Sequence, residues 1–145
     1  MIERIFNLIK SLYSFVIGVT SSLLFYKNFR IYFCNHLNVG IKYLHNQNVV
    51  FPHPVGIVIG GKVVIGKNCI IYQNVTIGTK DTINYKKADY PKIGDNVTVF
   101  ANSIIFGGIS IGENSIIGCG SVVFTDVPSN SIVVGNPAKI INNKL

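Results

Sequence analysis

An aliphatic residue falls on every sixth position of this chain. In "GIVIGGKVVIGKNCIIYQNVTIGTK", residues 56–80, the beat lands on Ile59, Ile65, Ile71 and Ile77; it resumes at Ile93 and runs through Val99, Ile105, Ile111, Ile117 and Val123. All ten positions are Ile or Val, and glycine follows directly at Gly60, Gly66, Gly78, Gly94, Gly112 and Gly118. Six matches neither the helical nor the strand period. A fixed longer period marks a repeat architecture, in which each unit buries its apolar face only by stacking on the next.

A short strand alternates its side chains, so the residue two before each beat position points inward with it. Those residues are small or medium: Val63, Cys69, Val75, Val97, Ser103, Ser115 and Ser121. The residues between them point outward and are largely β-branched: Val64, Ile70, Thr76, Thr98, Ile104 and Ile116. Each hexapeptide is then one strand plus one corner, where Gly or Asn is expected to accept positive φ. Three sides close a coil of 18 residues, and coils stack at strand spacing of about 4.8 Å. Ile59 lies over Ile77, and Val99 over Ile117. The predicted fold is mainly β, a parallel three-sided β-helix.

Two interruptions shape the rest. Ile77 to Ile93 is sixteen residues, ten more than one side needs, so "TKDTINYKKADYP" must leave the prism as a loop over about 79–92. A long loop inside a compact repeat is usually functional. Upstream the beat extends to Val39, His45 and Phe51 and then slips by two residues before Ile59. The expected organisation is an N-terminal helical segment over 1–38, the β-helix over 39–138, and a tail over 139–145. Both ends of a solenoid expose strand edges. The helical segment can cap one end, and at the other "DVPSNSIVVGNPAKII" is expected to break the ladder at Pro128 and Pro137 and carry the chain away.

Composition narrows the function. The net charge is +7, yet only Lys86 and Lys87 are adjacent in a chain otherwise dotted with single lysines. A nucleic-acid surface clusters its cations with stacking aromatics, so this dispersed pattern argues against one and fits a phosphate-bearing small molecule. Three cysteines, Cys34, Cys69 and Cys119, have neither framework nor zinc spacing, so no metal is expected and free thiols in a reducing cytoplasm are. Between Lys10 and Lys27 sixteen uncharged residues, "SLYSFVIGVTSSLLFY", fall short of a membrane span. They can form a helix packed on the domain or one lying in a membrane interface.

With repeat, loop and closing motif together, the sequence resembles the hexapeptide-repeat acyltransferases, in the serine acetyltransferase-like branch. "HPVGIVIGGKVVIGKNCIIYQNVTIG" is similar to that branch's catalytic coil, and "PKIGDNVTVFANSIIFGGISIGENSIIGCGSVVFTDVPSNSIVVGNPAKII" to its C-terminal half. The resemblance covers roughly residues 39–141 and implies a left-handed coil. It also implies direct acetyl transfer from acetyl-CoA as co-substrate, with no tightly bound cofactor. A homotrimer with sites between subunits follows from it too. By resemblance His53 is the general base, a role that suits imidazole, and Asn38 falls where the family has the aspartate that orients it. Ala101 and Cys119 fall where backbone groups hold acetyl-CoA, and Lys139 where the 3′-phosphate lies. His36 and His45 read as structural or solvated.

The departures point to the acceptor. Asn38 cannot stabilise imidazolium with charge, and Asp89-Tyr90-Pro91 stands where the family has Arg-His-Pro to receive the serine carboxylate. An aspartate there repels a carboxylate. The expected acceptor is therefore a neutral sugar hydroxyl of a surface-polysaccharide precursor, capsule or lipopolysaccharide. Asp89 and Tyr90 would contact it, and the N-terminal helix would bring the enzyme to a lipid-linked sugar at the inner face of the membrane. Serine O-acetylation is the alternative, and a non-catalytic β-helix scaffold is the alternative of another class.

Overall fold

The computed structural model describes residues 34–81, 83–84 and 87–143. The N-terminal segment that was expected to be helical lies outside them up to residue 33. Among the described residues thirteen strands, most of two residues, fall into three sheets. The first face orders β1 (His36–Leu37), β2 (Val58–Ile59), β5 (Thr76–Gly78), β8 (Ile104–Phe106) and β11 (Val122–Val123). The second holds β3 (Val64–Ile65), β6 (Lys92–Ile93) and β9 (Ser110–Ile111). The third stacks β4 (Ile70–Ile71), β7 (Thr98–Val99), β10 (Ile116–Ile117), β12 (Ser131–Val134) and β13 (Lys139–Asn143).

From β2 to β10 the chain visits the faces in constant rotation and every pairing is parallel. Val58 pairs with Thr76, eighteen residues on, and Thr76 with Ile104, twenty-eight on, so the excursion adds ten residues without disturbing the register. All ten beat positions are buried, and so are the seven inward positions before them. The buried serines are satisfied: Ser103 Oγ donates to the carbonyls of Phe100 (2.7 Å) and Gly118 (2.8 Å), and Ser121 Oγ to Gly118 (2.7 Å).

The corners bear out the expectation of positive φ at Asn or Gly and refine it. Positive φ is carried by asparagines, Asn68, Asn74, Asn96, Asn102, Asn114 and Asn130, and not by the glycines that follow the aliphatic beat. Those glycines answer to crowding. A β-carbon on Gly66 would stand 2.6 Å from the Gly94 carbonyl carbon, and one on Gly94 would stand 2.7 Å from the Glu113 nitrogen. Consecutive coils approach too closely there for any side chain.

The first coil departs from the beat. Leu37, and not Val39, pairs with Ile59, and His45 lies exposed in a short helix, α1 (Ile41–Asn46), whose buried residue is Leu44. The helix stands where a strand of the second face would be. The Tyr43 hydroxyl substitutes for that strand, donating to the Ile65 carbonyl (2.8 Å) and accepting from its N–H (3.0 Å). Phe51 keeps its place, since Val50 bridges Ile70.

At the other end the ladder continues through Pro128: Val127 bridges Ile111, and β12 pairs with β10. The chain then reverses, and Lys139–Asn143 returns antiparallel to β12 instead of leaving as a tail. Among the described residues no helix is long and apolar enough to cross a membrane.

Candidate active site

His53 sits on the first coil, exposed, at the corner where the third face hands over to the first. Its backbone is fixed by what surrounds it. The His53 carbonyl accepts from Val55 N–H (2.8 Å), a three-residue turn whose centre is Pro54, and proline's fixed φ suits that turn. Asn35 clamps the segment from outside: its Nδ2 donates to the Pro54 carbonyl (2.9 Å) and its Oδ1 accepts from Ile57 N–H (2.8 Å). The His53 ring centroid is 6.2 Å from that of Tyr72, which stacks on Phe100 at 5.0 Å.

Going up the same corner, Asn102 N–H donates to the Gln73 carbonyl (3.1 Å) and Gly120 N–H to the Ala101 carbonyl (2.9 Å), so Gln73, Ala101 and Cys119 form a column. Among the described residues the amides of Ala101 and Cys119 donate to no backbone carbonyl. Gln73 Oε1 is buried with no protein partner. Above them Gly118 N–H donates to the Val133 carbonyl, and Val134 pairs with Lys139. His53, Ala101, Cys119 and Lys139 thus lie along one edge of the prism, over five strand spacings, roughly 24 Å.

The other three sequence-derived residues lie elsewhere. The Asn38 carbonyl is 3.5 Å from where a β-carbon on Gly61 would stand, and the Tyr90 ring covers Gly60, both where the first face hands over to the second. Asp89 packs over Gly108 at that corner too, in the neighbouring coils. One side of the prism, roughly 16 Å, separates this corner from the one carrying His53. The structure therefore brings Asn38 beside Gly61, near Tyr90, and it is Asn35 that touches the His53 turn. Sequence reasoning missed Asn35, because only the return of the chain after β2 shows which asparagine it meets.

Among the described residues no three His, Cys, Asp or Glu side chains gather as a metal site. One thiol is perturbed: burial pushes the Cys69 pKa up, Asp95 adds to this, and a hydrogen bond from the Val97 backbone works against it.

Residues 90–125 match the family described as bacterial transferase hexapeptide (six repeats). The chain is 43% identical over 95 residues to the serine acetyltransferase of Synechococcus elongatus, covering 66% of this chain and 38% of that one. It is 46% identical over 98 residues to the serine acetyltransferase of Staphylococcus epidermidis, covering 68% and 45%. Among solved structures, Neisseria gonorrhoeae serine acetyltransferase superposes with a TM-score of 0.63 at 42% identity, over 67% of this chain and 37% of that one. Soybean serine acetyltransferase complexed with serine gives 0.60 at 42%, over 64% and 37%. The chain spans less than half the length of these relatives. The sugar acceptor expected from Asp89 and Asn38 is overturned: the relatives are serine acetyltransferases, which favours the alternative reading. Two substitutions around the acceptor outweighed, in the sequence reading, a likeness that runs through the whole repeat.

Proposed function

We propose that this chain, whose coils carry the bacterial transferase hexapeptide repeat, transfers the acetyl group of acetyl-CoA to the hydroxyl of serine. The observation that carries the reading is the edge on which His53, the amides of Ala101 and Cys119, and Lys139 stand in line. It is supported by 43% identity to a serine acetyltransferase over the same coils.

In this reading acetyl-CoA lies along that edge. Ala101 and Cys119 amides bond the pantetheine arm, and Lys139 meets the 3′-phosphate as a flexible point charge. The acceptor hydroxyl attacks the thioester carbonyl while His53 takes its proton, a role for which an imidazole near neutrality is suited. The tetrahedral intermediate collapses by breaking the C–S bond, and the proton held on His53 goes to the departing sulfur. No covalent enzyme intermediate is needed. Asn35, by gripping both sides of the turn, holds the imidazole at the edge. Because Asp89 and Tyr90 sit a full side away from His53, the acceptor site is completed by a neighbouring copy in a homotrimer.

The test is thiol release from acetyl-CoA with L-serine, using the full chain. His53→Ala is expected to lower kcat by about 10²–10⁴-fold with the thermal melt unchanged. Asn35→Ala is expected to lower kcat by about tenfold with the acetyl-CoA KM kept. No serine-dependent thiol release from the parent, or a fully active His53→Ala, would end the reading in favour of a non-catalytic scaffold.

A further inference from the structure

The edge that carries His53 rises through one residue unlike its neighbours. Counting three residues on from the register partners Ile70, Thr98 and Ile116 gives Gln73, Ala101 and Cys119, so these share one position on successive coils. Ala101 and Cys119 have small side chains, whereas Gln73 carries a long carboxamide. Below Gln73 the corner lengthens by two residues: the Val55 carbonyl accepts from Asn74 N–H (2.9 Å), and His53 stands on the bulge ahead of it. The imidazole faces Tyr72, which precedes Gln73 in sequence, at 6.2 Å between centroids. Gln73 thus stands on the coil between that of His53 and that of Ala101.

Its carboxamide takes no part in bonding the fold. Oε1 is buried without a partner, while Nε2 is not buried with it and makes no hydrogen bond among the described residues. A buried carbonyl oxygen that no donor meets destabilises a fold, so its retention calls for a role outside the fold. Alanine and cysteine occupy the same position on the next two coils without that cost. The amide therefore lies with its oxygen turned in and its N–H donors left for the edge.

We infer that Gln73 Nε2 donates to the carbonyl oxygen of the acetyl thioester and meets the negative charge that forms there. The inference rests on the proposed acetyl transfer and adds a catalytic residue to it. The small side chains of Ala101 and Cys119 leave room for the pantetheine arm, and the carboxamide ends that room one strand spacing, about 4.8 Å, below Ala101. The reacting end of the arm then lies between Gln73 and His53. As the serine hydroxyl oxygen bonds to the acetyl carbon, His53 takes its proton and the carbonyl π pair moves onto oxygen. Gln73 N–H meets that charge in place of water. The pair returns as the C–S bond breaks, and the departing thiolate takes the proton from His53. A donor already fixed beside a forming charge acts more strongly in the transition state than in the ground state.

The experiment compares, in the full chain, the parent with Gln73→Met, which is similar in length and has no donor, and Gln73→Glu, whose carboxylate only accepts. In both variants kcat for serine-dependent thiol release is expected to fall about 10²–10³-fold, with KM for acetyl-CoA and L-serine within about threefold. Gln73→Met should not lower the thermal melt, because the side chain bonds nothing in the fold. A second readout needs no acceptor: the infrared carbonyl stretch of bound acetyl-CoA, isotopically labelled at the acetyl carbonyl. It is expected at lower frequency on the parent than on Gln73→Met, since a hydrogen bond weakens the C=O bond. The inference is overturned if Gln73→Met keeps the parent's kcat, or if its bound carbonyl absorbs where the parent's does. Serine-dependent thiol release by the parent would leave the acetyltransferase reading standing in either case. A frequency difference in a parent that releases no thiol with serine supports the contact and removes the serine reading instead.

Discussion

At two corners of the prism coil after coil turns through left-handed backbone, and the two are built differently. At the corner joining the second and third faces, Asn48, Asn68, Asn96, Asn114 and Asn130 all have positive φ. Each side-chain amide donates to the next Oδ1, at 2.8, 3.4, 3.2 and 3.1 Å. At the corner joining the third and first faces the same turn is made by Gly56, Asn74, Asn102 and Gly120, and only one such bond remains, from Asn74 to Asn102 (3.2 Å). The unbroken ladder pairs its side chains from one coil to the next, whereas at the broken one Gly56 and Gly120 have no side chain to pair. His53, Ala101, Cys119 and Lys139 all belong to the broken one.

The largest effect expected from this contrast is at the middle of the complete ladder. Asn96→Ala removes a donor to Asn114 and an acceptor for Asn68, and it forces an alanine into φ 58°. Strain of about 1–2 kcal/mol and two exposed hydrogen bonds put the cost at about 2–3 kcal/mol, measured as a shift of the urea midpoint. Asn96→Gly spares the strain and should keep more than half of the loss from appearing. The acetyl-CoA KM of the folded protein should not move.

The same substitution at the broken corner is the next effect down. Asn102→Ala meets similar strain at φ 61° but gives up only the bond from Asn74, so it should cost about 1 kcal/mol less than Asn96→Ala. Because Asn102 adjoins Ala101, the acetyl-CoA KM should rise with it. A larger stability loss at Asn102 than at Asn96, with KM unchanged, would mean that the two corners do not divide structure from ligand as drawn.

The regular coils were legible because their constraint is local: an aliphatic on each sixth residue must face inward once strands alternate, and every one of the ten does. Crowding between coils is not local. Nothing in "IGKN" or "IGDN" says that glycine answers a neighbour's backbone while asparagine takes the left-handed turn, since both residues tolerate it. The first coil was misread for a related reason. Continuing the beat to Val39 and His45 ignored that a helical turn brings Leu44 inward and that Tyr43 can satisfy Ile65 in place of a strand. In the candidate site, His53 was singled out by the family resemblance of its coil. Asn35 was not, because it becomes relevant only where chain return sets it beside the His53 turn. The acceptor was misjudged because the departures at Asn38 and Asp89 were set above a likeness to serine acetyltransferases that runs over 95 residues.

The smallest expected effect lies inside the closed corner, just after Asn68. Cys69 is fully buried, and its Sγ donates to the Gly94 carbonyl at 3.2 Å. Burial holds its pKa above the ordinary thiol value, so the folded state keeps the proton after the unfolded chain has released it. The stability this gives is complete at pH below the unfolded thiol's pKa and is lost as pH rises through that value towards the folded one. Val63, Val75 and Val97 occupy the same inward row, so Cys69→Val fits the space and should change neutral-pH stability by less than about 1.5 kcal/mol. Urea midpoints taken from about pH 7 to about pH 10 should show the parent weakening relative to Cys69→Val, with a slope no steeper than about 1.4 kcal/mol per pH unit. Titrations shared by both proteins cancel in that difference. A difference that stays flat with pH would place water at Cys69, and the corner behind the asparagine ladder would then be no more closed than the one that carries His53.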